Sequence, residues 1–164
     1  MSVVAVTKKI SDNVNKASLA ICVALLGTMV MVTFMQIVCR VFFSALSWSE
    51  ELARYLLIWA SMLGAGCVYK SGSNIAILVV QDLLPETYKK MAKVLVQVLC
   101  GIFFALAIYH GIRFMGLMGT QKSAALHIPM KYMYLSVPLG CSIMLIHAID
   151  AIFSEIFGKE ESEQ

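Results

Sequence analysis

The sequence predicts an all-α integral membrane protein: four transmembrane helices, with a short amphipathic helix in the interface between the second and third. Three observations predict it. The chain has 164 residues and is 60% hydrophobic and 14% charged, whereas an average soluble domain is about 45–50% apolar and about 25% charged. Four apolar segments approach or exceed the roughly 20 residues a helix needs to cross a bilayer. Charges gather between those segments or at their ends rather than in their middles. Residues 1–164 read as a single membrane domain with no internal repeat.

The first span is predicted over about 17–39. No charge occurs from Ala17 to Cys39, and that stretch is about 35 Å long as a helix. A cleaved signal peptide is the competing reading. Its apolar core would be only about 7–15 residues, followed by small residues. Arg40-Val41-Phe42-Phe43 offers no such site, so the span is expected to be retained.

The second span is predicted over about 48–69. Ser47 and Glu50 fit a capping box, with Ser47 as N-cap. Glu50 and Arg54 stand at i, i+4 in the favourable order for an ion pair. Glu51 is the harder charge to place. It is open to Arg40 across the short loop, to a partner subunit, to a lipid headgroup, or to solvent. Trp48, Tyr55 and Tyr69 suit the interfacial ends of the span.

A break at Lys70-Ser71-Gly72-Ser73-Asn74 follows. The stretch 75–84 is too short to span and reads as the interfacial helix, ended by Pro85. The third and fourth spans are predicted over about 94–112 and 132–149. Pro138 should kink the fourth, because the carbonyl of Tyr134 loses its partner. The acidic tail from Glu155 to Gln164 is expected to fray.

Lysine and arginine set the orientation. Four spans put both termini and the 70–93 stretch on one side, with Lys8, Lys9, Lys16, Lys70, Lys89, Lys90, Lys93 and Lys159. The other side has Arg40, Arg54, Arg113, Lys122 and Lys131. The balance places both termini in the cytoplasm.

Several function classes lack their residues. A net charge of +3 and the lack of a basic, aromatic-interleaved stripe argue against nucleic acid. Five scattered cysteines without a C-x-x-C pair do not suggest a metal or redox site, so no cofactor is expected. No G-x-S-x-G, H-E-x-x-H or P-loop occurs, so an enzyme is not expected. A redox-enzyme anchor binding haem or quinone is the alternative. A bis-histidine haem needs two histidines at one depth, and His110 and His147 are predicted near opposite faces. A self-contained transporter usually carries ionisable groups in mid-membrane, and the middles of the spans hold none. Small residues at Ala60-x-x-x-Gly64 and Ser61-x-x-x-Ala65 favour close helix packing instead.

Two stretches resemble the small membrane subunit (Q-type, DctQ-like) of TRAP transporters. The first is Trp48-Ser-Glu-Glu-Leu-Ala-Arg-Tyr, continuing through Trp59, Leu63-Gly64-Ala65 and Ser71-Gly72-Ser73-Asn74-Ile75. The second is Ile128-Pro129-Met130, then Tyr134 and Val137-Pro138-Leu139-Gly140. The likeness covers nearly the whole chain. It departs where the family often has a His and, four residues on, an Asp; here these are Asn74 and Leu78.

The resemblance implies a sodium-coupled tripartite importer of an organic acid in the bacterial inner membrane, closest to sialic acid systems. Its implied partners are a large membrane subunit, a periplasmic substrate-binding protein and membrane lipids. This chain would be a scaffold and a docking surface. Arg40, Trp48, Glu50, Glu51, Arg54, Ala60, Gly64, Pro129, Pro138 and Gly140 are then the candidates for interface or structural roles. Lys122 and Lys131 are the candidates for docking the binding protein.

Overall fold

A computed structural model describes residues 3–44, 46–71 and 86–157. These form α1 (Val3–Phe42), α2 (Ser47–Lys70), α3 (Glu86–Leu117), the single turn α4 (Lys131–Tyr134) and α5 (Ser136–Phe157). Four of them are long and apolar enough to cross a membrane. The predicted interfacial helix at 75–84, with Asn74, Leu78 and Pro85, lies outside the described residues.

Helix α1 starts far earlier than the predicted span. It runs 40 residues, about 60 Å, with neither Gly nor Pro before Gly27 to interrupt it. Its polar first part is held by the rest of the bundle. Ser11 and His147 share a buried hydrogen bond of 2.9 Å, and Lys70 pairs with Asp12. At the other terminus α5 stays helical through Phe157, so Glu155 is helical rather than frayed; the rest of the predicted tail, 158–164, lies outside the described residues. Glu155 lies 3.9 Å from Lys93 of α3.

The bundle is organised around α5. Helices α1, α2 and α3 each pack against it, α1 also packs along α2, and among the described residues α3 does not pack on α1. The core joins Cys22, Ala60 and Leu63, with Leu25 and Ile143 against them. Small residues set the closest approaches. A Cβ on Gly140 would stand 2.9 Å from Met62, and one on Gly66 would stand 2.9 Å from Ile143. Helices α2 and α5 therefore meet nearly backbone to backbone. Tyr69 of α2 reaches α3, stacking edge-on to Phe104 with ring centroids 5.3 Å apart.

The fourth span is interrupted just past Tyr134, whose carbonyl Pro138 leaves without its helical partner. The break falls at Leu135, between α4 and α5. Pro138 occupies the first turn of α5, where a missing N–H costs little. Its ring faces Gly111 of α3, whose added Cβ would meet Pro138 Cδ at 3.3 Å.

Candidate functional site

The site with the most concentrated chemistry lies where α2 begins. Helix α2 is entered through Leu46, which has extended backbone angles and makes no side-chain cap. Ser47 is thus the first helical residue and not the N-cap, and the predicted capping box does not form. Ser49 secures the entry instead. It is fully buried, and its hydroxyl donates to the Leu46 carbonyl at 2.7 Å.

The two glutamates then diverge. Glu50 is exposed and accepts from Gln36 Nε2 of α1 at 3.2 Å. It makes no ion pair with Arg54, contrary to the i, i+4 expectation. A carboxylate pointing along the α1 seam finds an amide closer than the guanidinium one turn away. Arg40 lines a small cavity beside Glu50 with Gln36 and Leu46. Arg40 therefore neighbours Glu50 and not Glu51.

Glu51 has a partner that sequence reasoning did not consider. One carboxylate oxygen accepts the backbone N–H groups of Ala125 and Leu126 at 2.8 and 3.0 Å. The other accepts the Tyr55 hydroxyl. An ionised acceptor makes such bonds stronger than neutral ones. The charge thus meets backbone dipoles rather than a cation.

Those amides belong to a small hairpin. Ser123 N–H donates to the Ile128 carbonyl at 2.9 Å, and Met130 N–H donates to Gln121 at 2.8 Å. Lys122 and Pro129 face each other in an isolated antiparallel bridge. The tip, 124–127, closes with His127 at φ 56°, a backbone conformation uncommon for a residue with a Cβ. That turn directs two successive amides at one oxygen. The hairpin leads into α4, and Tyr55 lies 3.5 Å from Met130 sulfur. Lys131 sits over the Tyr132 ring at 5.3 Å, and Trp48 is half-buried.

A cavity of about 720 Å³ opens between the start of α2 and this hairpin, lined by Glu50, Glu51, Arg54, Tyr55 and Lys122 among others. Of the other predicted residues, Ala60 and Gly64 turn inward. Ala60 is buried and its carbonyl accepts from Cys22 Sγ at 3.4 Å; Gly64 also faces Cys22. Ser61 and Ala65, the second small pair, are exposed.

The histidines separate as the depth argument requires. His110 precedes Gly111, which packs on Pro138. His147 lies nine residues further along α5, about 13 Å away in height, and is engaged by Ser11. Two ligands of one haem iron cannot stand so far apart. His147 is buried by its packing, at 3% exposure.

Fold and site together define a class: a helical protein of membrane-spanning character whose helix-end carboxylates serve to fasten its own loops and helices. Within that class the match is specific. The family described as "Tripartite ATP-independent periplasmic transporters, DctQ component" matches residues 29–158, and the chain belongs to it. It is a transporter component rather than an enzyme.

The chain is 30% identical over 112 residues to the sialic acid TRAP transporter permease protein SiaT of Haemophilus influenzae (strain 86-028NP), covering 68% of this chain and 18% of that one. It is 28% identical over 113 residues to the sialic acid TRAP transporter small permease protein SiaQ of Vibrio cholerae, covering 65% and 62%. It is 26% identical over 118 residues to the C4-dicarboxylate TRAP transporter small permease protein DctQ of Rhodobacter capsulatus, covering 66% and 48%. The chain thus spans under a fifth of the first relative, 62% of the second and 48% of the third.

Proposed function

We propose that this chain is the small permease subunit of a tripartite, sodium-coupled importer of an organic acid, with sialic acid the favoured substrate. It sits in the bacterial inner membrane with both termini in the cytoplasm. It acts as a fixed scaffold for a large transport subunit, and its outer loops dock a periplasmic binding protein. The observation carrying this reading is the apolar surface left open. Only 6% of the α3 membrane window is buried, against 39% for α5. A frame that presents bare apolar helices on its flanks suits lipid on one side and a larger membrane partner on another. The match to a small part of a much longer permease supports a segment that works beside such a partner. The sialic acid assignment rests on the names of two relatives, and sodium coupling on the tripartite class.

The test is reconstitution. Proteoliposomes holding the chain with its large subunit and binding protein should accumulate sialic acid under a sodium gradient. The chain alone should not. Uptake by the chain alone would overturn the scaffold reading, and preference for a C4-dicarboxylate would overturn the substrate. Lys122 and Lys131 are exposed on the loop side. Reversing both to Glu should weaken the salt dependence of uptake, as expected for charges that steer a docking partner; an unchanged salt dependence removes them from the docking surface.

A further inference from the structure

We propose that the cavity beside the start of α2 binds the phosphate of a membrane phospholipid, with an acyl chain along its apolar wall. Its mouth presents Arg54 and Lys122. Both are exposed, and neither forms an ion pair among the described residues. The carboxylates of the same cavity are already engaged. Glu51 holds the Ala125 and Leu126 amides and the Tyr55 hydroxyl, and Glu50 accepts from Gln36. Both carboxylates stay charged, but their oxygens are taken up by these bonds, so the donors of Arg54 and Lys122 face the cavity without a carboxylate acceptor. The α2 N-terminus opens on the same space at Ser47 and adds partial positive charge.

The depth of the cavity selects a lipid over a small anion. Along α2 it runs from Ser47 to Ile58, about 16 Å of helix. Its inner wall is apolar, with Ile58, Met133 and Val137. A free phosphate would use the cations and leave that wall empty. A phospholipid uses both, since guanidinium and ammonium donors match phosphate oxygens and an acyl chain covers the apolar side. The binding measured is independent of transport, so this proposal and the functional one fail separately.

The test is native mass spectrometry of the full chain, alone and with its large subunit. It is titrated with palmitoyl-oleoyl phosphatidylglycerol, with the diacylglycerol of the same chains, and with glycerol 3-phosphate. One phosphatidylglycerol should bind tightly per chain. The other two probes should each bind about tenfold more weakly or worse, having lost either the phosphate contacts or the chain. The double variant Arg54→Gln, Lys122→Gln should weaken phosphatidylglycerol by about tenfold or more, while Lys131→Gln, outside the cavity, should not. Ile58→Trp, which fills the apolar wall, should weaken the lipid and spare glycerol 3-phosphate. Unchanged lipid binding in the double variant overturns the site. Glycerol 3-phosphate binding as tightly as the lipid assigns it to a free phosphate and overturns the lipid. Loss of the large subunit with lipid binding intact gives the cations to that subunit and overturns it as well.

Discussion

Glu51 is held by donors that no charge count detects. Its oxygens collect two main-chain amides and a phenol. Replacing it by Gln keeps the shape but exchanges a charged acceptor for a neutral amide, which accepts on one side only. Glu51→Gln should loosen the 121–130 hairpin, read as faster proteolysis there and a lower unfolding temperature. Glu51→Lys should do so more severely, because a cation faces two N–H groups. Protease resistance equal to wild type in both would remove Glu51 as the loop anchor. Sequence reasoning recognised that this charge needed compensation. It could not name the partner, because backbone amides have no signature in the sequence and lie 74 and 75 positions away.

Between elements, glycine positions set how closely helices approach. Gly140 has Met62 Cβ at 2.9 Å and its carbonyl oxygen at 3.3 Å from where a methyl would go. Gly140→Ala should cost about 1–3 kcal/mol through overpacking. Gly27 has nothing within 4 Å, so Gly27→Ala should be neutral or stabilise by up to about 1 kcal/mol from helix propensity. Equilibrium unfolding in detergent separates the two by sign. The α1–α5 seam is pinned differently, by the buried Ser11–His147 bond. Ser11→Ala strands a buried imidazole nitrogen and should cost about 1–3 kcal/mol in the same assay. The Ala60–Gly64 pair was legible as a packing face. That its neighbour is α1 of the same chain, and that Gly66 and Gly140 make the tighter contact, depended on how the helices pair. The break at Leu135 was legible too, because Pro138 cannot donate to the Tyr134 carbonyl.

The described residues form a bundle in which α5 is the most buried helix and the flanks are wide open. Helix α5 touches the three other long helices, while α3 rests on α5 and leaves Leu95, Leu99, Ile102, Phe103 and Leu106 exposed. In water such a surface would drive association, so the chain belongs in lipid or against another membrane protein. Co-expression with the large subunit should raise the yield of folded chain in mild detergent. Equal yield and equal thermal stability with and without it would argue that lipid alone covers these flanks.

Composition and hydropathy alone determined the class, the count of membrane helices and their order. Those properties follow from the cost of burying charge and unpaired backbone in hydrocarbon, which each segment must meet by itself. The family was also legible, because its motifs are short and local. Tertiary structure alone decided what the polar residues are for. It gave Glu51 to a loop, Glu50 to Gln36, Asp12 to Lys70 and Ser11 to His147. Each of those pairings joins residues at least 14 positions apart in the chain. The energy of a hydrogen bond depends on distance and direction, and only the packed bundle supplies both.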